Sequence, residues 1–170
     1  FDGDADRMIA IDSKGRIVDG DNILFLWGSE LLKNHILHEN LIVSTVMSNL
    51  GFEKDWLNKG GKLIRTKVGD QYVYEEMVKS KANLGGEQSG HILSTINGLS
   101  GDGIFTAIQL ATICNRKSIN LADWLSQSFK PYPQKLINIP LANKMTNKII
   151  TGSEIFQDSI QKAKLQLKGD

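Results

Sequence analysis

Short apolar runs alternate with amphipathic segments from residue 41 onward, and that alternation leaves few folds open. Leu41 to Val46 is an apolar, β-branched run that predicts a central strand. After it the pattern predicts a helix over about 51–59, stopped by Gly60 and Gly61, a strand over 62–67 and a helix over 71–80. Strand pieces near 83–85 and 91–95 and a helix over about 103–115 follow. Strands alternating with helices bury a sheet on both faces, so the expected class is α/β: a mixed, mostly parallel sheet layered with helices. In such sheets ligands gather at the loops beyond the carboxyl ends of the strands.

Upstream, residues 7–12 and 16–18 read as a hairpin around Ser13-Lys14-Gly15. Asp19-Gly20-Asp21-Asn22 offers turn and N-cap chemistry for a helix over about 22–38, with Ile23, Leu24, Leu26, Trp27, Leu31, Leu32 and Ile36 on a wide apolar face. Downstream, Asn120 to Asp123 resembles a capping box opening a short helix to about 128. Pro131 and Pro133 then mark a hinge, followed by one strand (134–140) and one amphipathic helix (about 152–168), too little to bury a core. The expected division is 1–19 as the end of one domain, 20–130 as an α/β domain, and 131–170 as a hinge and the start of a further domain. The opening Phe1 stands inside a motif, which predicts that the natural N-terminus lies further upstream.

Composition narrows the partners. The chain has 170 residues, 41% of them hydrophobic, and a formal charge of +1, so a packed core is affordable and no basic stripe with interleaved aromatics invites nucleic acid. The most apolar stretch, Ile23 to Trp27, is far too short to cross a bilayer. A lone Cys114 fits a reducing, cytoplasmic setting and reads as a small core residue on a helix. Trp27, Trp56 and Trp124 lie among apolar neighbours and read as core.

Two short loops carry the chemistry. In FDGDADR, Asp2, Asp4 and Asp6 crowd three carboxylates into five residues ahead of Arg7. Unneutralised anions at that spacing repel, so the cluster is either a solvated loop or a cation site. The following Met8-Ile9-Ala10-Ile11 reads as a buried strand and favours the cation. Small Gly3 and Ala5 let the backbone curl around one ion. An EF-hand counted from Asp2 would need Gly and Glu where Arg7 and Ser13 stand, so that spacing fails. A hard cation with positions left open for phosphate oxygen, Mg2+, suits the donors, and Arg7 can offset the residual charge or reach a phosphate.

In GGEQSGH, residues 85–91, glycines admit close backbone approach while Glu87, Ser89 and His91 supply an acceptor, a hydroxyl and an imidazole. It lacks the spacing of a dinucleotide fingerprint, and a strand rather than a helix follows, unlike a nucleophile elbow. The loop suits a polyhydroxylated ligand; the alternative is a tight turn with Glu87 and His91 merely solvated. His35 and His38, three apart on the first long helix, lack a third metal ligand and read as an exposed face. Asp102 reads as a helix cap.

Together, FDGDADR and GGEQSGH resemble the metal-binding and sugar-binding loops of the α-D-phosphohexomutase family. The stretch Thr45 to Gly51, the segment Arg65 to Asp70, and Gln88 resemble its phosphoglucosamine mutase branch. The resemblance implies a fragment holding the end of the family's second domain, its third domain and the start of its fourth. It implies that Asp2, Asp4 and Asp6 bind magnesium together with an active-site phosphoserine, and that Arg7 lies near that phosphate. It further implies that Glu87 and Ser89 bind sugar hydroxyls, that His91 assists at the reacting group, and that Lys67, Gly69 and Asp70 face the cleft. The implied activity is an isomerase of amino-sugar metabolism, interconverting glucosamine 6-phosphate and glucosamine 1-phosphate through a bisphosphate intermediate towards a cell-wall precursor. The serine loop and phosphate-binding loop of that family are missing from these 170 residues, so the chain alone is expected to be inactive. The competing readings are a phosphomannomutase or phosphoglucomutase of the same family, a non-enzymatic metal-binding module, and a haloacid-dehalogenase-type phosphatase. The last is disfavoured because Asp6 stands where its D-x-D-x-T loop has Thr, and because the loop precedes the strand-like run.

Overall fold

The computed structural model describes residues 1–96, 98, 100–138, 140 and 150–167, and its contacts divide into two units, Phe1–Pro133 and Gln134–Asp170. The first unit opens with an antiparallel hairpin of β1 (Ala10–Ile11) and β2 (Ile17–Val18), followed by helix α1 (Gly20–Lys33). It continues through β3 (Leu41–Thr45), α2 (Leu50–Asn58), β4 (Lys62–Thr66), α3 (Asp70–Ser80) and β5 (Leu84–Gly86). The unit closes with β6 (Ile92–Ser94), β7 (Ser100–Gly101), α4 (Gly103–Lys117) and α5 (Leu121–Leu125).

The five-stranded sheet has the order β4-β3-β5-β6-β7. Central β3 pairs in parallel with β4 and β5, and β6 and β7 extend the sheet antiparallel. The mixed, helix-layered α/β class read from the sequence is therefore present. Every residue of β3 is buried, as a central strand covered on both faces requires. Period-two alternation divides its side chains between two cores. Ile42 packs in a large cluster with Phe25 and Trp27 of α1 and Phe52 and Trp56 of α2. Leu41 and Val43 pack with Val73 and Met77 of α3 in a smaller one. Phe25 meets Phe52, Trp56 and Phe129 edge to face at 6.1, 6.1 and 5.6 Å, each pair contributing about 0.5–1.5 kcal/mol beyond its burial. Trp27, Trp56 and Trp124 are all buried, as expected.

The helix starts are set by short polar side chains. Asp19 caps α1 in a reciprocal box with Asn22, Asp102 Oδ1 accepts from Phe105 N at 2.8 Å, and Asn120 with Asp123 caps α5. Cys114 lies half-buried on α4 against the core, and burial pushes its thiol up despite nearby Lys117, the opposite of what a reactive thiolate needs.

Four expectations need correction. The first long helix ends at Lys33, not near 38: His35 is left-handed (φ 56°), so the chain turns out of the helix, Ile36 is exposed, and neither His35 nor His38 lies on α1. The run Met8 to Ile11 is not a buried strand. Met8 is 5% exposed, but Ile9 and Ile11 are 44% and 67% exposed, because a two-residue hairpin strand buries one side only. Helix α5 stops at Leu125 rather than about 128. No strand is present over residues 134–138 or 140, which join no sheet ladder among the described residues, and a strand exists only as part of a ladder. Residue 139 of that expected strand lies outside the described residues. Within the second unit, helix α6 (Glu154–Leu167) begins beside Ser153, whose Oγ accepts from Phe156 N at 3.3 Å, and none of its residues is buried.

Candidate functional site

The acidic loop curls as its small residues suggested. Ala5 takes a left-handed conformation (φ 59°), and its N–H donates to the Asp2 carbonyl at 3.3 Å. That turn brings one carboxylate oxygen each from Asp2, Asp4 and Asp6 within 4.8 Å of one another. Arg7 folds back on them: its Nε donates to Asp2 Oδ2 at 2.6 Å and lies 3.6 Å from Asp6 Oδ1. Arg7 thus offsets local charge, one of the two roles open to it from the sequence.

The three acids are not equivalent. Partial burial works against ionised Asp2, but the Arg7 side-chain and backbone N–H bonds outweigh it and hold the carboxyl below its ordinary value. Burial pushes the Asp6 carboxyl up; His91 opposes this, and the charges of Asp2 and Asp4 add to it. Asp6 Oδ1 is buried without a hydrogen-bond partner among the described residues.

The glycine-rich loop is the turn between β5 and β6. Glu87 N donates to the His91 carbonyl and Gly90 N to the Glu87 carbonyl, both at 3.0 Å. Gly90 has φ +95°, and a Cβ there would collide with the Met8 carbonyl, which is why only glycine fits. The loop is held from two sides, by Gly20 N donating to the Gln88 carbonyl (3.0 Å) and Met8 N donating to the Gly90 carbonyl (3.1 Å).

These bonds bring the two loops together. Arg7 and His91 form an antiparallel bridge, and His91 Nδ1 lies 3.1 Å from Asp6 Oδ2. His91 is buried against the acidic loop, its ring packed on Gly101, where a Cβ would strike it. Glu87 instead reaches the segment before α3: its Oε1 accepts from Gly69 N at 2.9 Å, and its Oε2 accepts from the Ser89 hydroxyl at 3.4 Å. Lys67 places its ammonium 5.7 Å from the centre of the Tyr72 ring.

An open cleft of about 390 Å³ is lined by Arg7, Thr45, Met47, Val68, Glu87, Gln88 and Ser89. A second, of about 310 Å³, shares Arg7 and Ser89 and adds Asp2. Arg7, Glu87 and Ser89 therefore border one opening beside the three aspartates, while His91 sits behind it. Sequence reasoning missed Thr45 and Met47 as lining residues. The signal was present, because Thr45 ends a parallel strand and Met47 lies just beyond it, where such sheets bind ligands.

Comparison with known proteins identifies the family. Residues 19–132 match the phosphoglucomutase/phosphomannomutase alpha/beta/alpha domain III. A Prochlorococcus marinus protein named phosphoglucosamine mutase is 62% identical over 98% of the chain, and a Synechococcus protein of the same name is 54% identical over all of it. The chain spans 36% and 37% of those relatives' lengths. The crystal structure of Aspergillus fumigatus N-acetylphosphoglucosamine mutase in complex with GlcNAc-6P and magnesium matches 85% of this chain and 35% of its own, with a TM-score of 0.66 at 20% identity, a likeness of fold. With the domain match covering most of the first unit, the chain belongs to the phosphoglucomutase/phosphomannomutase family of phosphohexomutases.

Proposed function

We propose that the full-length protein is a phosphoglucosamine mutase that interconverts glucosamine 6-phosphate and glucosamine 1-phosphate through a phosphoserine and a bisphosphate intermediate. The observation that carries this reading is that three converging carboxylates lie against Arg7, which lines one cleft together with the Glu87 and Ser89 side chains. The names of the curated relatives favour the amino sugar over the mannose and glucose alternatives of the same family.

The donors suit a divalent hard cation: three carboxylates converge, and buried Asp6 Oδ1 has no hydrogen-bond partner among the described residues. Asp2, Asp4 and Asp6 would hold Mg2+, which when bound screens the charge developing on a transferring phosphoryl group. Arg7, half exposed beside this cluster, is placed to bind a phosphate once a cation relieves it of Asp2. Glu87 and Ser89 would accept from and donate to sugar hydroxyls, with Gly69 N giving up its bond to Glu87 as the sugar arrives. His91, against Asp6, would hold or pass a proton at Nδ1 near the acidic loop. The serine and phosphate-binding loops would come from the remainder of the protein, so these 170 residues alone are proposed to be inactive.

The test is a coupled assay of the full-length protein with magnesium and glucosamine 1-, glucose 1- and mannose 1-phosphate. Preference for the amino sugar supports the reading. Preference for glucose or mannose keeps the family and overturns the substrate; no turnover of any of the three returns the acidic loop to a binding module.

A further inference from the structure

Lys130 to Tyr132 is the last stretch of the first unit before its boundary at Pro133, and both of its ends are bonded to α2 or to the N-cap of that helix. Asn49, the N-cap of α2, works on both sides. Its Oδ1 accepts from Gly51 N and from Tyr132 N, each at 2.9 Å, and its Nδ2 donates to the Tyr132 carbonyl at 2.9 Å. Lys130 N donates to Asp55 at 3.1 Å, Lys54 Nζ donates to the Tyr132 hydroxyl at 3.2 Å, and Phe129 stacks on Phe52 at 5.7 Å. A Cβ at Gly51 would strike the Lys130 carbonyl, so glycine is what lets the segment lie against the helix.

An N-cap needs only its acceptor. The two bonds to Tyr132 are surplus to capping, and by engaging both backbone groups of one residue they set its position and its direction. Asn49 is also tied back towards the glycine-rich loop. Its N–H donates to Oδ2 of buried Asp21 at 2.8 Å, in the first turn of α1, where Gly20 N holds the Gln88 carbonyl. By a second route Ser48 pairs with Ser44, whose hydroxyl donates to the Gly86 carbonyl at 3.0 Å.

We propose that Asn49 is a positioning residue for the phosphoryl transfer: it sets where, and in which direction, the chain leaves the first unit relative to the glycine-rich loop. This rests on the mutase reading above. Transfer between groups carried by separate parts of a chain depends on placement, and a misplacement of about 1 Å far from the chemistry can cost 10²-fold.

The experiment uses the full-length protein and two variants that break the clamp from opposite sides. Asn49→Ser keeps a capping hydroxyl but loses both Tyr132 bonds; Gly51→Ala keeps Asn49 but pushes on Lys130. Amide hydrogen exchange at Tyr132 and at Gly51, thermal unfolding, and kcat and KM for glucosamine 1-phosphate are measured for each. The expected result in Asn49→Ser is faster exchange at Tyr132 with Gly51 still protected. In both variants kcat falls roughly tenfold while KM stays within about twofold, because Glu87 and Ser89 are untouched. An unchanged kcat in both variants, with Tyr132 exchanging faster, overturns the proposal and leaves the mutase reading standing. So does a loss of kcat that merely follows the fraction unfolded. A wild type that turns over no hexosamine phosphate overturns the mutase reading, and this role with it.

Discussion

The two loops that meet at the cleft are built in opposite ways. The glycine-rich loop is part of the sheet: it joins β5 to β6, and backbone bonds from Gly20 and Met8 hold it. The acidic loop has a backbone turn at Ala5 too, but its charge balance is set by side chains, with one close guanidinium and one imidazole against three carboxylates. The first is finished by the fold. The second stores charge repulsion that a cation would relieve, so function in the two loops should respond differently to the same kind of change.

The largest expected effect is on the acidic loop. Asp4 is exposed, so Asp4→Ala should leave folding intact yet lower turnover of the full-length protein by roughly 1,000-fold, since a bound cation supplies several kcal/mol of charge stabilisation. A variant that kept wild-type turnover would break the contrast at once. The glycine-rich loop should fail by folding instead: Gly90→Ala forces a left-handed residue onto the Met8 carbonyl, and a loss of about 3 kcal/mol in thermal or denaturant unfolding is expected.

A subtler effect comes from the helix turn that anchors the glycine-rich loop. Burial pushes Asp21 up to about 6 from 3.8, opposed by its bond from Asn49 and by Ser48, and reinforced by Asp19. Between those values the folded protein keeps a proton that the unfolded chain has released. Stability from this group therefore falls as pH rises from about 4 to 6 and is flat above, by up to about 3 kcal/mol. Asp21→Asn should remove that slope, seen as the difference between the two proteins' stability against pH. The smallest effect belongs to Arg7: its pair with Asp2 is half exposed and screened by water, so Arg7→Ala should barely change stability while turnover drops far more. Equal losses in both would make Arg7 a structural residue.

Much of this was legible in the residues. Leu41 to Thr45 announced a doubly covered strand because every position is apolar or small, and the caps at Asp19, Asp102 and Asn120 could be named because an N-cap bond is local. The small residues Gly3 and Ala5 correctly signalled a tight turn between the aspartates. What escaped was decided at a distance. The end of α1 depends on His35 entering a left-handed turn, while the apolar pattern runs on through Ile36. Residues 134–138 have the composition of a strand, but a strand exists only in a sheet ladder and the described residues form none there. The contacts of Asn49 with Tyr132, and of Glu87 with Gly69, span 83 and 18 residues and leave no local pattern. His91 could be chosen as a site residue, yet its place behind the cleft against Asp6 follows from the β6–β7 pairing that sets Gly101 beneath its ring.

The most direct measurement is a calorimetric titration of magnesium into the full-length protein and its Asp4→Ala variant, with glucosamine 6-phosphate titrated separately into each without metal. The account predicts one magnesium site that disappears in the variant, while binding of the sugar phosphate persists in both through the preformed glycine-rich loop. Undiminished magnesium binding by Asp4→Ala would contradict it.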